Sequence, residues 1–333
     1  MPLVTAPVVT PPKPPVVVPP PIQIPEIGYA SITYIDPTGT RWPMTDLSAD
    51  WYALAEGVSG LGAASYAITS DPLPRGGARL RHAQPQPRTI IWPLLVKGAD
   101  HLVFTANWRD LGRAFTRTLR RGPGGRRPPG TLEVARPDGT VRRIAVHYWD
   151  GWDGRGQTAT GITWDSAVLT LWCEDPYWQD AVPVTVHRET GTLDDYLVPY
   201  PTVSSSQVLG ATTLNNPGDI EVWPVWKVTG PASKITFTRE DPVDDGDDTA
   251  AAFSLDLAKA GRGPLLTGQT VTISTDPPRV RSGTGENLIG GLNWPEAELW
   301  SIPPGQTPVT FQVDGAGPGS AVDLVFYPRY ETA

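Results

Sequence analysis

The stretch "LWCEDPYWQD", residues Leu171 to Asp180, sets the chain's only cysteine, Cys173, before two carboxylates, Glu174 and Asp175, and two aromatics, Tyr177 and Trp178. A nucleophilic thiolate needs a base or a positive setting to lower its pKa. Glu174 and Asp175 do the opposite. Free cysteine in an apolar strand such as "AVLTLWCE" behaves as a small buried hydrophobe. Cys173 therefore reads as structural. Paired acids can hydrolyse glycosides when they flank a cleft, but among 35 acidic residues their adjacency carries almost no information. "GVSGLG" spaces its glycines wrongly for a nucleophile elbow. His82, His101, His147 and His187 are scattered, and no Cys/His set has zinc spacing. No catalytic constellation, metal site or cofactor site follows.

Two further groups carry potential chemistry. "DPVDDGDD", Asp241 to Asp248, places Asp241, Asp245 and Gly246 like positions 1, 5 and 6 of a calcium loop. Val243 and Ala252 occupy positions 3 and 12, where oxygen ligands are needed, so a solvated acidic loop is the better reading. Arg109, Arg113, Arg117, Arg120, Arg121, Arg126 and Arg127 form a basic cluster that suits nucleic acid or the acids of a neighbouring subunit. Trp223, Trp226, Trp294 and Trp300 offer stacking surfaces for sugars, or core for a β-sandwich.

These residues sit on a chain of 333 residues with 39% hydrophobic and 19% charged content, enough for real cores and long enough for two domains. Thirty-eight prolines and 34 glycines favour short strands and turns over long helices. The net charge of -8 hides a split: 17 basic and 11 acidic residues from Gly28 to Arg155, then 9 and 23 from Gly156 onward. No apolar run approaches the ~20 residues of a membrane span. Nor does the start resemble a secretory signal, so assembly in a reducing cytoplasm is expected.

Four regions follow. Residues 1–27 form a Pro-rich arm, "PPKPPVVVPPPIQIP", whose prolines forbid helix or central strand. In polyproline II, the stretch from Pro2 to Pro25 would extend about 75 Å at about 3.1 Å per residue. Its Pro11, Pro12, Pro14, Pro15, Val16, Val17 and Val18 are candidate contacts with another subunit. Residues 28–189 alternate strands with one helix, "NWRDLGRAFTRTLRRG", capped by Asn107, stopped at Gly122 and carrying an apolar stripe of Leu111, Phe115 and Leu119. "RTIIWPLLVKG" supplies a buried strand from Thr89 to Val96, and Asp138-Gly139 turns a hairpin between "TLEVA" and "VRRIAVHYW". "SAVLTLWCE" is a further strand with Val168 and Leu169 in its core. Residues 190–207 read as a linker. Residues 208–333 read as short strands with the spacing of a β-sandwich.

In order, these motifs resemble the distal tail (Dit) family of long-tailed, siphovirus-type bacteriophages, called minor tail proteins in phages of actinobacteria. The likeness runs from about Gly28 to Tyr330. It rests on "RTIIWPLLVKG", the helix, the hairpin, "CEDPYWQD", "LNNPGDIEVWPVWKVTGP", "LWSIPPGQTPVTF" and "VDLVFYPRY". It implies a mainly β chain: a Dit-like N-terminal β-sandwich domain with one α-helix, then a galectin-like C-terminal β-sandwich. Asp175, Pro176, Tyr177 and Trp178 would form a structural corner closing the first domain, and Asn216, Gly218 and Asp219 the start of the second. The resemblance also implies a non-enzymatic virion protein of the tail tip or baseplate, ring-forming and hexameric in the family's manner. Tail tube, tape measure, hub and receptor-binding proteins would be its partners in host attachment and genome ejection, with DNA passing transiently through the lumen and no membrane insertion. A carbohydrate-binding surface module is the alternative. The arm departs from the family's pattern.

Overall fold

The computed structural model describes residues 30–122, 125, 127–154, 162–189, 206–240 and 250–333. The Pro-rich arm, Arg126, the linker up to residue 205 and the acidic loop 241–248 lie outside the described residues. Strands β1 (Ser31–Ile35), β2 (Arg41–Pro43), β3 (Trp51–Ala53), β4 (Tyr66–Pro72), β5 (Ala78–Pro85) and β6 (Arg88–Lys97) precede helix α1 (His101–Thr116). Then come β7 (Gly130–Ala135), β8 (Val141–Asp150), β9 (Trp164–Cys173), β10 (Trp178–Asp180) and β11 (Val184–Glu189). The rest contributes β12 (Ser206–Asn216), β13 (Val225–Thr229), β14 (Lys234–Arg239), β15 (Ala251–Asp256), β16 (Thr270–Ser274) and β17 (Arg279–Ser282). It ends with β18 (Gly305–Asp314), β19 (Ala321–Phe326) and β20 (Arg329–Tyr330).

The first core lies under a nine-stranded sheet ordered β2-β1-β7-β8-β9-β6-β3, with β10 and β20 attached beside β8. The β7–β8 hairpin turns at Gly139, whose φ of 87° suits glycine, while Asp138 Oδ1 accepts from Thr140 N at 2.9 Å. Strand β9 buries every second residue, Leu169, Leu171 and Cys173 among them. Val168 is not core, as the alternation turns it outward to 55% exposure.

Helix α1 begins six residues before the expected cap. Asp100 is the N-cap and accepts from Val103 N at 2.8 Å. Asn107 lies inside the helix, donating to Lys97 O at 3.0 Å and Asp50 Oδ2 at 3.2 Å. The true stripe is Phe104, Trp108, Leu111 and Phe115, spaced i, i+4, i+7, i+11 and packed on the sheet's core face. Leu119 falls beyond the α-helix, in a 3-10 turn from Arg117 to Leu119, and is exposed. The turn ends the helical run before Gly122.

The second core is a sandwich. A five-stranded sheet, β11-β19-β13-β16-β17, and a four-stranded sheet, β12-β18-β14-β15, supply its apolar faces. Trp226 stacks on Phe237 with centroids 4.1 Å apart and meets Phe311 and Trp300 edge-on. Trp226 and Trp300 are therefore core, and among the four tryptophans considered for sugars only Trp294 is broadly exposed. The two units exchange short pieces of chain. Strand β11 pairs with β19 in the second unit, while β20 returns to pair with β10 in the first. β4 and β5 pair only with each other.

Candidate functional site

The corner after β9 starts with the chain direction. Pro176 biases Asp175 away from helical backbone, and Asp175 Oδ1 accepts from Tyr177 N at 3.1 Å, closing a short turn. Cys173 is fully buried, and burial pushes its thiol up to about 12. At neutral pH it stays a thiol and offers no nucleophile. Trp178 is buried in the first core.

Arg329, from the last strand, bonds both oxygens of Asp175, at 2.7 and 2.8 Å, and lies over the Tyr177 ring at 4.7 Å. On its other side the same segment is gripped by the second motif. Asn216, buried, donates to Ile220 O at 3.0 Å and Ile302 O at 3.1 Å, and its Oδ1 accepts from Gly218 N at 3.0 Å. A Cβ on Gly218 would stand 2.5 Å from Arg329 O, so only glycine lets the strand pass. Asp219 N donates to Arg329 O at 2.8 Å, and Asp219 Oδ2 accepts from Glu331 N at 3.2 Å. The sequence singles out the two motifs separately. The structure joins them at one place, through residues 329–331.

Sequence reasoning missed the residues that complete this junction. Arg88 is buried and donates through Nε to Pro176 O at 2.6 Å, through Nη1 to Gly60 O at 2.8 Å and Gly62 O, and through Nη2 to Glu331 O at 2.9 Å. Burial lowers its pKa from the ordinary arginine value. Tyr66 Oη donates to Glu331 Oε1 at 2.6 Å and lies 2.9 Å from Tyr177 Oη. The Glu331 hydrogen bond, then that of Tyr177, raises the Tyr66 pKa. An arginine opening an apolar strand was the only signal available for Arg88.

The basic cluster does not form one patch of free cations. Arg117 Nη1 bonds the buried Asp36 at 2.5 Å, Arg113 pairs with Asp110, and Arg127 Nε donates to Leu119 O at 2.9 Å. Arg120 and Arg121 are exposed. Arg121, Arg127 and Leu119 border an open groove of about 910 Å³ with His147, Trp149, Trp172 and Glu174. Among the described residues no three His, Cys, Asp or Glu side chains gather as metal ligands, and no helix is long and apolar enough to cross a membrane.

Asp36 gives a pH test. Burial pushes its carboxyl up, but hydrogen bonds from Thr38 and Thr40 and the Arg117 charge outweigh this and hold it below 3.8. The ionised form is the stabilising one. Its contribution is present above that unfolded value and is lost as pH falls through the lower folded value. Asp36→Asn is expected to cost about 1–2 kcal/mol at neutral pH and to flatten the acid limb of a urea-midpoint-against-pH curve. An acid limb unchanged from wild type would contradict this.

No family model matches this sequence, and no curated protein matches it. Solved structures do. SPP1 Dit (gp 19.1), described as a paradigm of the hub adsorption apparatus in phages infecting Gram-positive hosts, superposes with a TM-score of 0.59. The match covers 90% of this chain and 99% of that one at 13% identity. This is a Dit fold. A chain of the phage P2 baseplate in its activated conformation with Ca matches with a TM-score of 0.53 over 92% of this chain and 100% of its own, at 10% identity. At such identities what is shared is the Dit fold: a mainly β chain with a single α-helix among the described residues.

Proposed function

We propose that this chain is a structural component of the tail tip of a long-tailed bacteriophage. It would be a ring-forming adaptor that joins the tail tube to baseplate and host-adhesion proteins and surrounds the channel through which DNA leaves. The observation that carries this is the length of the Dit match: it spans 99% of SPP1 Dit rather than one sandwich alone. A shared sandwich by itself would say little about function. The proposed arrangement puts residues 28–189 in the ring, six copies in all, and turns residues 208–333 outward. The corner at Asp175–Trp178 and the turn at Asn216–Asp219 fix the angle between them. Arg120, Arg121 and Arg127 remain candidate contacts, with Arg126 and the arm's Pro11 to Val18 as further ones.

Electron micrographs of the purified full chain are expected to show closed rings with a central opening. Removing residues 2–25 should raise the concentration at which they form. Single chains at every concentration would overturn the reading.

A further inference from the structure

The sequence of the Pro-rich arm and the open groove beside β8 have matching chemistry. A polyproline II helix has three residues per turn, so residues three apart share a ridge. In that conformation one ridge of the arm would carry Pro11, Pro14, Val17 and Pro20, and a second Pro12, Pro15, Val18 and Pro21. Both are wholly apolar. Lys13, the only charged side chain between Pro2 and Pro25, falls on the third ridge. Such a helix makes no internal hydrogen bonds, and proline has no N–H to donate. Residues 11–21 therefore offer eleven carbonyl acceptors against four N–H donors.

The groove of about 910 Å³ meets each of these features. Trp149 and Trp172 line it, with the His147 ring 6.2 Å from that of Trp172. Trp149 is 59% exposed, and aromatic-lined grooves take the apolar ridges of polyproline II segments. Arg121 and Arg127 border the same groove, and arginine and tryptophan side chains donate hydrogen bonds but accept none. A donor-rich groove thus faces an acceptor-rich segment. Glu174, also on the groove, has a side chain 72% exposed with His147 3.7 Å away, and its carboxylate matches Lys13.

The arm of the same copy is badly placed to fill it. Ser31 lies opposite Ala135, and Ala135 opposite Val141, so β1 runs parallel to β8 and the chain enters β1 at the end remote from residues 147–149. Strand dimensions put the two places about 25 Å apart. A semi-rigid Pro-rich segment would have to double back to cover that distance. Directed outward, Pro2 to Pro25 would span about 75 Å, against a radius of gyration of about 20 Å for a compact chain of this length. We infer that residues 11–21 of one copy seat in the Trp149–Trp172 groove of a second copy. The inference rests on the ring reading above and names what the arm of each copy holds.

The test uses the full chain. In sedimentation velocity, Trp149→Ala should weaken self-association about tenfold or more. Its melting temperature should not move, because the ring is mostly exposed. Val17→Asp with Val18→Asp, one on each apolar ridge, should weaken association as much. All three substitutions together should cost little more than either set alone, because both remove one contact. An equal mixture of a Lys13→Cys chain and a Glu174→Cys chain should be joined by a short bis-maleimide through the two introduced thiols, Cys173 being buried. Losses that simply add, or a mixture that stays unjoined, overturn this inference, and rings that still form then leave the ring reading standing. A Lys13→Cys, Glu174→Cys double variant linked only within single chains puts the arm on its own groove and also overturns it. A wild-type chain that is single at every concentration overturns both.

Discussion

Replacing Arg88 with alanine is expected to destabilise the first unit by about 3–5 kcal/mol, the range for breaking a buried, hydrogen-bonded charge. Arg88 is only 4% exposed. Its four carbonyl partners come from three places distant in sequence: the loop at Gly60 and Gly62, the corner at Pro176, and the terminal segment at Glu331. Alanine removes the donors and leaves the carbonyls facing a hole, so the desolvation already incurred by those oxygens is no longer offset. Lysine keeps the charge but not the planar fork, and should recover less than half of the loss. The measurement is urea unfolding followed by a probe of the first unit, because two cores need not unfold together. A loss under about 1 kcal/mol would show that water replaces the fork and that Arg88 is no clamp.

The clamp explains how a corner read as local becomes a joint. Asp175 holds Arg329 from one side, Gly218 and Asp219 hold the same strand from the other, and Arg88 and Tyr66 fix Glu331. The proposed ring adaptor would need its two units held at one angle. Here β20 is held by both units, by β10 and Asp175 on one side and by Gly218 and Asp219 on the other.

Part of this was legible in the sequence because its signals are local. Asp138-Gly139 specifies a turn, and the alternation in β9 places Cys173 inward. The helix start was not legible, since Leu102 and Val103 look like core residues yet are exposed, so the stripe begins only at Phe104. Strand β17, "RVRS", is an edge strand with two arginines and shows no apolar run. The joint was legible only in halves. Asp175–Trp178 and Asn216–Asp219 stood out as motifs, but Arg88 and Arg329 look like any surface arginine until distant carbonyls and carboxylates are brought to them. Long-range hydrogen bonds leave no period in a sequence.

Trp178→Ala is the second large effect, expected at about 3 kcal/mol or more. The ring is wholly buried in the first core, on a strand that pairs with Tyr330 on one side while its neighbours Gln179 and Asp180 pair with β8 on the other. Its indole N–H has no hydrogen-bond partner among the described residues, so the loss comes from apolar area and the cavity left behind. Trp178→Phe separates the terms: it keeps most of the apolar surface, removes the orphaned N–H, and should recover more than half of the loss. Because Trp178 sits beside β20, the alanine variant should also free the terminal strand, seen as faster amide exchange at Arg329 and Tyr330. An unfolding midpoint equal to wild type would mean that the corner carries no core. Full destabilisation in the phenylalanine variant would mean that the full shape of the indole, not apolar area alone, is what the site requires.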